Sequence, residues 1–153
     1  MPSLDDVYKK FGETSEAAQL LETALANILL VVGGVERNLF TGADPVGARD
    51  FVTELDTHTL GRLITHLKTK VRIPDELEGI LSAALLARNC LSHSFYRKHN
   101  FRRNSEEGRA IMLEDLDSMH ELIIAAFKAV SLISGTDLDS IALISLPTRY
   151  VPI

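Results

Sequence analysis

Apolar residues recur along this chain at intervals of three and four, and strand-like alternation is nearly absent. That spacing predicts helices throughout, because it places apolar side chains on one face of a 3.6-residue turn. Leu4, Val7, Tyr8 and Phe11 outline a short opening helix, which Gly12 interrupts. Thr14 or Ser15 caps the next helix, whose stripe runs through Ala18, Leu21, Leu25, Ile28 and Val32 to a stop at Gly33-Gly34. The turn-rich stretch 38–47 predicts a loop, with room for a helical turn after it. Thr57 to about Lys70 carries Leu60, Leu63, Ile64 and Leu67 on one face, a third helix. Pro74 marks the first position of a helix running to about Lys98, with Asp75, Glu76 and Glu78 at its positive end. A polar, basic turn over Asn100–Asn104 leads to Ser105, the cap of a last long helix. Met112, Leu116, Met119, Ile123, Phe127 and Val130 form its stripe, and Gly135 ends it.

These elements predict an all-α fold, a four- to five-helix, largely up-and-down bundle over residues 1–135. Residues 136–153, with Pro147, Pro152 and an apolar run at 141–146, predict a short extended C-terminal tail. A chain of 153 residues suits one domain and buries a core without staples.

Charge changes the picture at one place. The net charge is −5, yet the stretch from Arg88 to Arg109 holds six Arg and Lys against Glu106 and Glu107. A basic patch on an acidic body focuses a polyanion at one place, whereas the plainer reading is a solvated charged turn. Cys90 is the single cysteine, so neither an internal disulfide nor a cysteine-based zinc site is available, as suits a reducing cytoplasm. In an apolar helix it reads as a packing residue rather than a nucleophile. The N-terminus shows no basic region followed by an apolar run, and the longest apolar stretches look too short or too interrupted to span a bilayer. The expectation is a cytoplasmic protein with no membrane partner.

The helix from Pro74 contains an anomaly. Its apolar seam reads Leu77, Leu81, Ala84, Arg88, Leu91, Phe95, with an arginine where the pattern asks for an apolar group. Arg88 either sits at the seam's edge, snorkelling or paired with an acid such as Asp115, or opens the seam into a polar site. Asn89 and His93 lie four apart and share a face. Arg88 and His93 lie five apart and diverge by about 140° on an ideal helix, so they converge only through a bend, long side chains or a second subunit. Ala83, Ala87, Cys90 and Ser94 form a track of small residues that permits close approach of another helix, within the chain or across a two-fold axis. Ten arginines and five histidines give Arg-x4-His about 0.3 times by chance, so the signal resides in the surroundings. Those are the apolar helix before the pair and the stretch after it, with Phe95, Tyr96, Arg97, Lys98, His99 and Phe101.

In that context Arg88-Asn89-Cys90-Leu91-Ser92-His93 resembles the Arg-polar-x3-His signature of the HEPN (higher eukaryotes and prokaryotes nucleotide-binding) superfamily. The preceding stretch 81–87 resembles the helix that carries the signature there, and the helix order is compatible over residues 14–135. The resemblance implies a homodimer with facing motifs and metal-independent cleavage of RNA by 2′-hydroxyl attack, as in toxins and phage-defence effectors, with no cofactor. It implies Arg88, Asn89 and His93 as catalytic residues. The residue types suit these roles: His93 moves a proton, Arg88 holds a phosphate, and Asn89 orients His93 or the phosphate. Arg97, Lys98, Arg102 and Arg103 would grip the RNA backbone, and Tyr96 and Phe101 would stack on a base. Some members carry, two residues after the histidine, a tyrosine that a partner antitoxin modifies. Phe95 stands there in this chain, with Tyr96 next, which puts that route of regulation in doubt. The alternative is a non-catalytic helical module that binds RNA, a nucleotide or a protein partner.

Other constellations are poor. Asp117-x-x-His120, and His58 with His66 near Asp56, read as surface residues rather than metal ligands, and no phosphate-loop pattern follows Gly33-Gly34.

Overall fold

A computed structural model of the chain describes residues 1–135 and Leu138. The expected tail, 136–153, lies almost wholly outside the described residues. Among the described residues six α-helices follow in order: α1 (Leu4–Glu36), α2 (Pro45–Asp56), α3 (Leu60–Lys70), α4 (Asp75–His93), α5 (Phe95–His99) and α6 (Glu106–Ile133). Short 3-10 turns lie at Leu39–Thr41 and Asn100–Asn104.

The expected break at Gly12 is absent, and α1 is one 33-residue helix. Its cap is Ser3, whose hydroxyl accepts from the Asp6 amide while the Asp6 carboxylate accepts from the Ser3 amide. Thr14 and Ser15 do not cap anything; their hydroxyls donate back to the carbonyls of Lys10 and Phe11 at 2.8 Å. A glycine costs a helix about 1 kcal/mol, and burying Val7, Ala18, Leu21, Leu25 and Leu29 in one register outweighs it. One 18-residue window of α1 has the length and apolarity of a membrane span, contrary to expectation; a third of that window is buried in the bundle.

The loop expected after Asn38 is shorter than its turn-rich sequence suggests. Asn38 and Gly42 adopt left-handed conformations around the first 3-10 turn. Asp44 then caps α2 by accepting from the Gly47 amide at 2.8 Å, and Pro45 opens a full 12-residue helix. Phe51 and Leu55 bury its inner face. In α3 all four stripe residues are buried, as expected. Pro74 stands one position earlier than expected, at the cap of α4. Ser105 caps α6 as expected, accepting from the Gly108 amide.

The direction of each helix follows from its cross-links. Arg109, in the first turn of α6, donates to the Pro2 carbonyl, and Lys10 pairs with Asp117, so α1 and α6 run parallel. Phe11 packs on Phe95, and Arg88 meets Glu22, so α4 runs antiparallel to α1. Lys70 pairs with Glu36, while Lys68 pairs with Glu78, so α3 runs with α1 and against α4. Helices α1, α3 and α6 therefore run one way and α4 the other, and α1 and α6 lie side by side. The core is one cluster centred on Leu21, Leu25, Leu81, Leu116 and Ile123. The helix count exceeds the expected four to five because α2 is full length and the helix expected to reach Lys98 divides at Ser94.

Candidate functional site

The seam of α4 is buried at Leu81, Ala84 and Leu91, and continues at Phe95 beyond the break. Arg88 interrupts it at the edge, with its side chain 20% exposed. Its partner is Glu22 of α1, not Asp115. The Nε and one terminal nitrogen of Arg88 each lie 3.1 Å from Glu22 Oε1, and the other terminal nitrogen lies 3.4 Å from Asn89 Oδ1. The arginine at the seam is thus compensated by a carboxylate from the facing helix, as a half-buried charge requires. A cavity of about 250 Å³ beside Glu22 is lined by Gln19, Thr23, Leu55, Asp56 and His58.

Helix α4 stays regular to its last residue, His93, and breaks only at Ser94. Arg88 and His93 keep the divergence that their five-residue step imposes, and one protomer does not bring them together. Asn89 and His93 do share a face. They lie on the exposed side of α4 in line with Ser82 and Leu86, the latter 73% exposed. Among the described residues the His93 imidazole has no hydrogen-bond or ionic partner; its carbonyl accepts from Arg97 at 2.6 Å. Ala87 and Cys90 of the small-residue track face the core of the same bundle, where α4 packs chiefly on α6. Cys90 is a half-buried packing residue, as expected.

The basic stretch is arranged differently from a free phosphate grip. Lys98 donates to Asp115 Oδ2 at 2.8 Å, and Arg103 donates to the Tyr8 hydroxyl at 3.0 Å. Arg102 donates to His99 Nδ1 at 3.1 Å, and Arg97 is turned onto the end of α4. Each cation still has an exposed face. Tyr96 packs between Phe11 and Phe95, each ring 5.2 Å away. Burial, then the neighbouring Tyr8, push the Tyr96 hydroxyl above its ordinary pKa. Phe101 is 77% exposed and offers an open ring.

His99, counted in the sequence as part of the exposed basic stretch, is buried. Its Nε2 lies 2.7 Å from Asp115 Oδ2. Arginine only donates, so Nδ1 accepts from Arg102 and the proton stands on Nε2, which donates to Asp115. The ring also packs on Phe95, with centroids 4.5 Å apart. Burial pushes the Asp115 carboxyl up, but the hydrogen bonds from Lys98 and His99 outweigh it and hold the pKa below the ordinary aspartate value. Asp115 and His99 therefore tie the start of α6 to α5, and that fixes where the basic stretch sits.

One further expectation changes. His58 and His66 are half-buried rather than plain surface residues; their rings lie 6.1 Å apart, and Nδ1 of each is buried without a hydrogen-bond partner. Glu22 was not singled out in the sequence. It follows Leu21 on the flank of an apolar stripe, a signal it shares with other acids in the chain. Among the described residues no three His, Cys, Asp or Glu side chains converge on a point that would hold a metal ion. No family model, curated protein or solved structure matches this chain.

Proposed function

We propose that this chain is a metal-independent endoribonuclease of the HEPN type, a cytoplasmic toxin or phage-defence effector that acts as a homodimer without a cofactor. The observation that carries the reading is His93: an exposed imidazole without a partner among the described residues, one turn from Asn89 and on the same open face of α4, beside an arginine held in place by Glu22. Such an imidazole takes or gives a proton without first breaking a native contact. In the reaction, His93 of one protomer removes the 2′-hydroxyl proton. The 2′-oxygen then bonds to the adjacent phosphorus, and the bond from phosphorus to the 5′-oxygen breaks. That oxygen leaves with a proton from an acid, for which His93 of a second copy is the natural source. The products are a 2′,3′-cyclic phosphate and a 5′-hydroxyl end. Arg88 supports the charge that builds on the phosphoryl oxygens, and Asn89 orients the guanidinium it already touches. Because Arg88 and His93 diverge within one chain, the site calls for two copies. The exposed stripe of Ser82, Leu86, Asn89 and His93 is the face on which they would meet.

The test is incubation of mixed RNA with the protein in excess chelator, beside His93→Ala. Cleavage with cyclic-phosphate ends, lost in the variant, is the expected result. Cleavage that survives His93→Ala, or no cleavage by the unaltered chain at any salt, overturns the reading. A second reading, a non-catalytic module that binds RNA, a nucleotide or a protein partner, is favoured by a different observation. Arg88, Lys98, Arg102 and Arg103 all hold native contacts that a substrate would have to share or displace. Retained RNA binding without cleavage supports it.

A further inference from the structure

A second feature of the bundle lies away from α4's histidine. It is an open groove of about 690 Å³ between the C-terminal half of α1, the link from α3 to α4, and the end of α6. Ile28, Val31, Leu67, Val71, Ile73 and Leu77 make its lining mainly apolar. Several exposed apolar side chains gather there, including Val31, Val71 and Ile133. A contiguous apolar surface of this kind calls for an occupant.

We propose that the occupant is the apolar run at residues 141–146 of the same chain. Three observations select it. First, the chain leaves α6 at the groove: Ser131, Ile133 and Ser134 line it, and Gly135, with φ of +84°, turns the backbone away just beyond. Second, the reach is right. Five residues separate Gly135 from Ile141, a span of up to about 17 Å, so the run Ile141-Ala142-Leu143-Ile144-Ser145-Leu146 is delivered alongside its own exit point. Third, the charges complement. Arg72 stands exposed in the groove lining with no ionic partner among the described residues, and the sequence places Asp137 and Asp139 immediately before the apolar run. A tethered segment enters at high effective concentration, which favours it over a separate copy or a free apolar ligand.

Crosslinking of the full-length chain tests this. Cysteines replace Val31, in the groove, and Leu143 in a Cys90→Ser background, and a short flexible bis-maleimide tolerates a shift of one or two residues in register. A control pair joins Leu143→Cys to Tyr8→Cys, at the opposite end of α1. The expected result is a crosslinked monomer for the Val31 pair at every protein concentration, and none for the Tyr8 pair. Crosslinked dimers that increase with concentration mean that the run comes from a second copy, and they overturn the proposal. Equal reaction of both pairs, or of neither, overturns it as well. A second measurement leaves the described bundle untouched. Leu143→Asp with Leu146→Asp is expected to raise the fluorescence of added anilinonaphthalene sulfonate several-fold as the groove is uncovered. Unchanged fluorescence would mean that the run does not cover it.

Discussion

Asp115→Ala removes the acceptor of a buried donor, and its cost is open to estimate from the contacts. The His99 side chain is 1% exposed, and its Nε2 donates to Asp115 at 2.7 Å. Leaving such a donor unsatisfied costs about 1–3 kcal/mol. Lys98 is half exposed, so its bond to the same oxygen contributes only about 0.5 kcal/mol. The expected loss is therefore about 1.5–3.5 kcal/mol, or roughly 3–14 °C in Tm for a domain of this size. Urea denaturation with a His99→Ala, Asp115→Ala cycle isolates the pair, and a coupling energy above about 1 kcal/mol is expected. The pH dependence follows from the lowered pKa of Asp115. A carboxylate depressed on folding stabilises the fold above its unfolded pKa of about 3.9 and loses that contribution as the pH falls through the lower folded value. The gap between wild type and Asp115→Ala is thus full at pH 6 and narrows as the pH falls below ~4, by the share that the carboxylate's charge contributes. A loss under about 0.5 kcal/mol at pH 6 would show that His99 does not depend on Asp115, and a gap that does not narrow in acid would show that the charge contributes nothing; either refutes the reasoning.

Other expected outcomes follow from single contacts. Gly12→Ala raises stability by about 0.5–1 kcal/mol in urea denaturation, because Gly12 is an exposed mid-helix position and a new Cβ there meets nothing within 4 Å. Gly33→Ala does the reverse, by about 1–3 kcal/mol, since its Cβ would stand 2.5 Å from Cζ of the buried Phe51 ring, over which Arg37 also stacks. Glu22→Ala costs about 1–2 kcal/mol by leaving Arg88 half-buried without its anion, and adding Arg88→Met recovers part of that loss. His93→Ala changes stability by less than about 0.5 kcal/mol, so loss of RNA cleavage in that variant would report on chemistry rather than folding.

The fold was legible wherever the helical period acted alone. Leu60, Leu63, Ile64 and Leu67, or Met112 through Ile123, name their own buried faces. Boundaries were legible where a cap stood isolated, as at Ser105. They were misread where local and global terms conflict. Gly12 argues locally for a break, but the stripe on either side keeps one register, and packing decides over a penalty of about 1 kcal/mol. The stretch 38–47 carries so many turn formers that Pro45 reads as part of a loop, although Asp44 before it and Phe51 after it mark a capped, one-faced helix.

The candidate site divides in the same way. Its residues were legible in order, because Arg88 breaks a seam and Asn89 shares a face with His93. Its environment was not, because partners of a half-buried charge come from anywhere in the chain: Glu22 stands 66 residues before Arg88. Sequence spacing also cannot separate a cation offered to solvent from one spent on the fold. His99 and Arg102 look like members of one basic run with His93 and Arg97, yet His99 is buried at the end of α5 as a link between Asp115 and Arg102, and His93 alone among these side chains is left without a partner among the described residues. The structure thus narrows a net +4 segment to one open imidazole and one anchored guanidinium on diverging faces of a regular helix. A chemistry that needs both on one phosphate needs a second α4, and the dependence of any cleavage on protein concentration is the direct measure of that requirement. First-order rates per chain that stay constant on dilution would place the whole site in one chain, against the five-residue step.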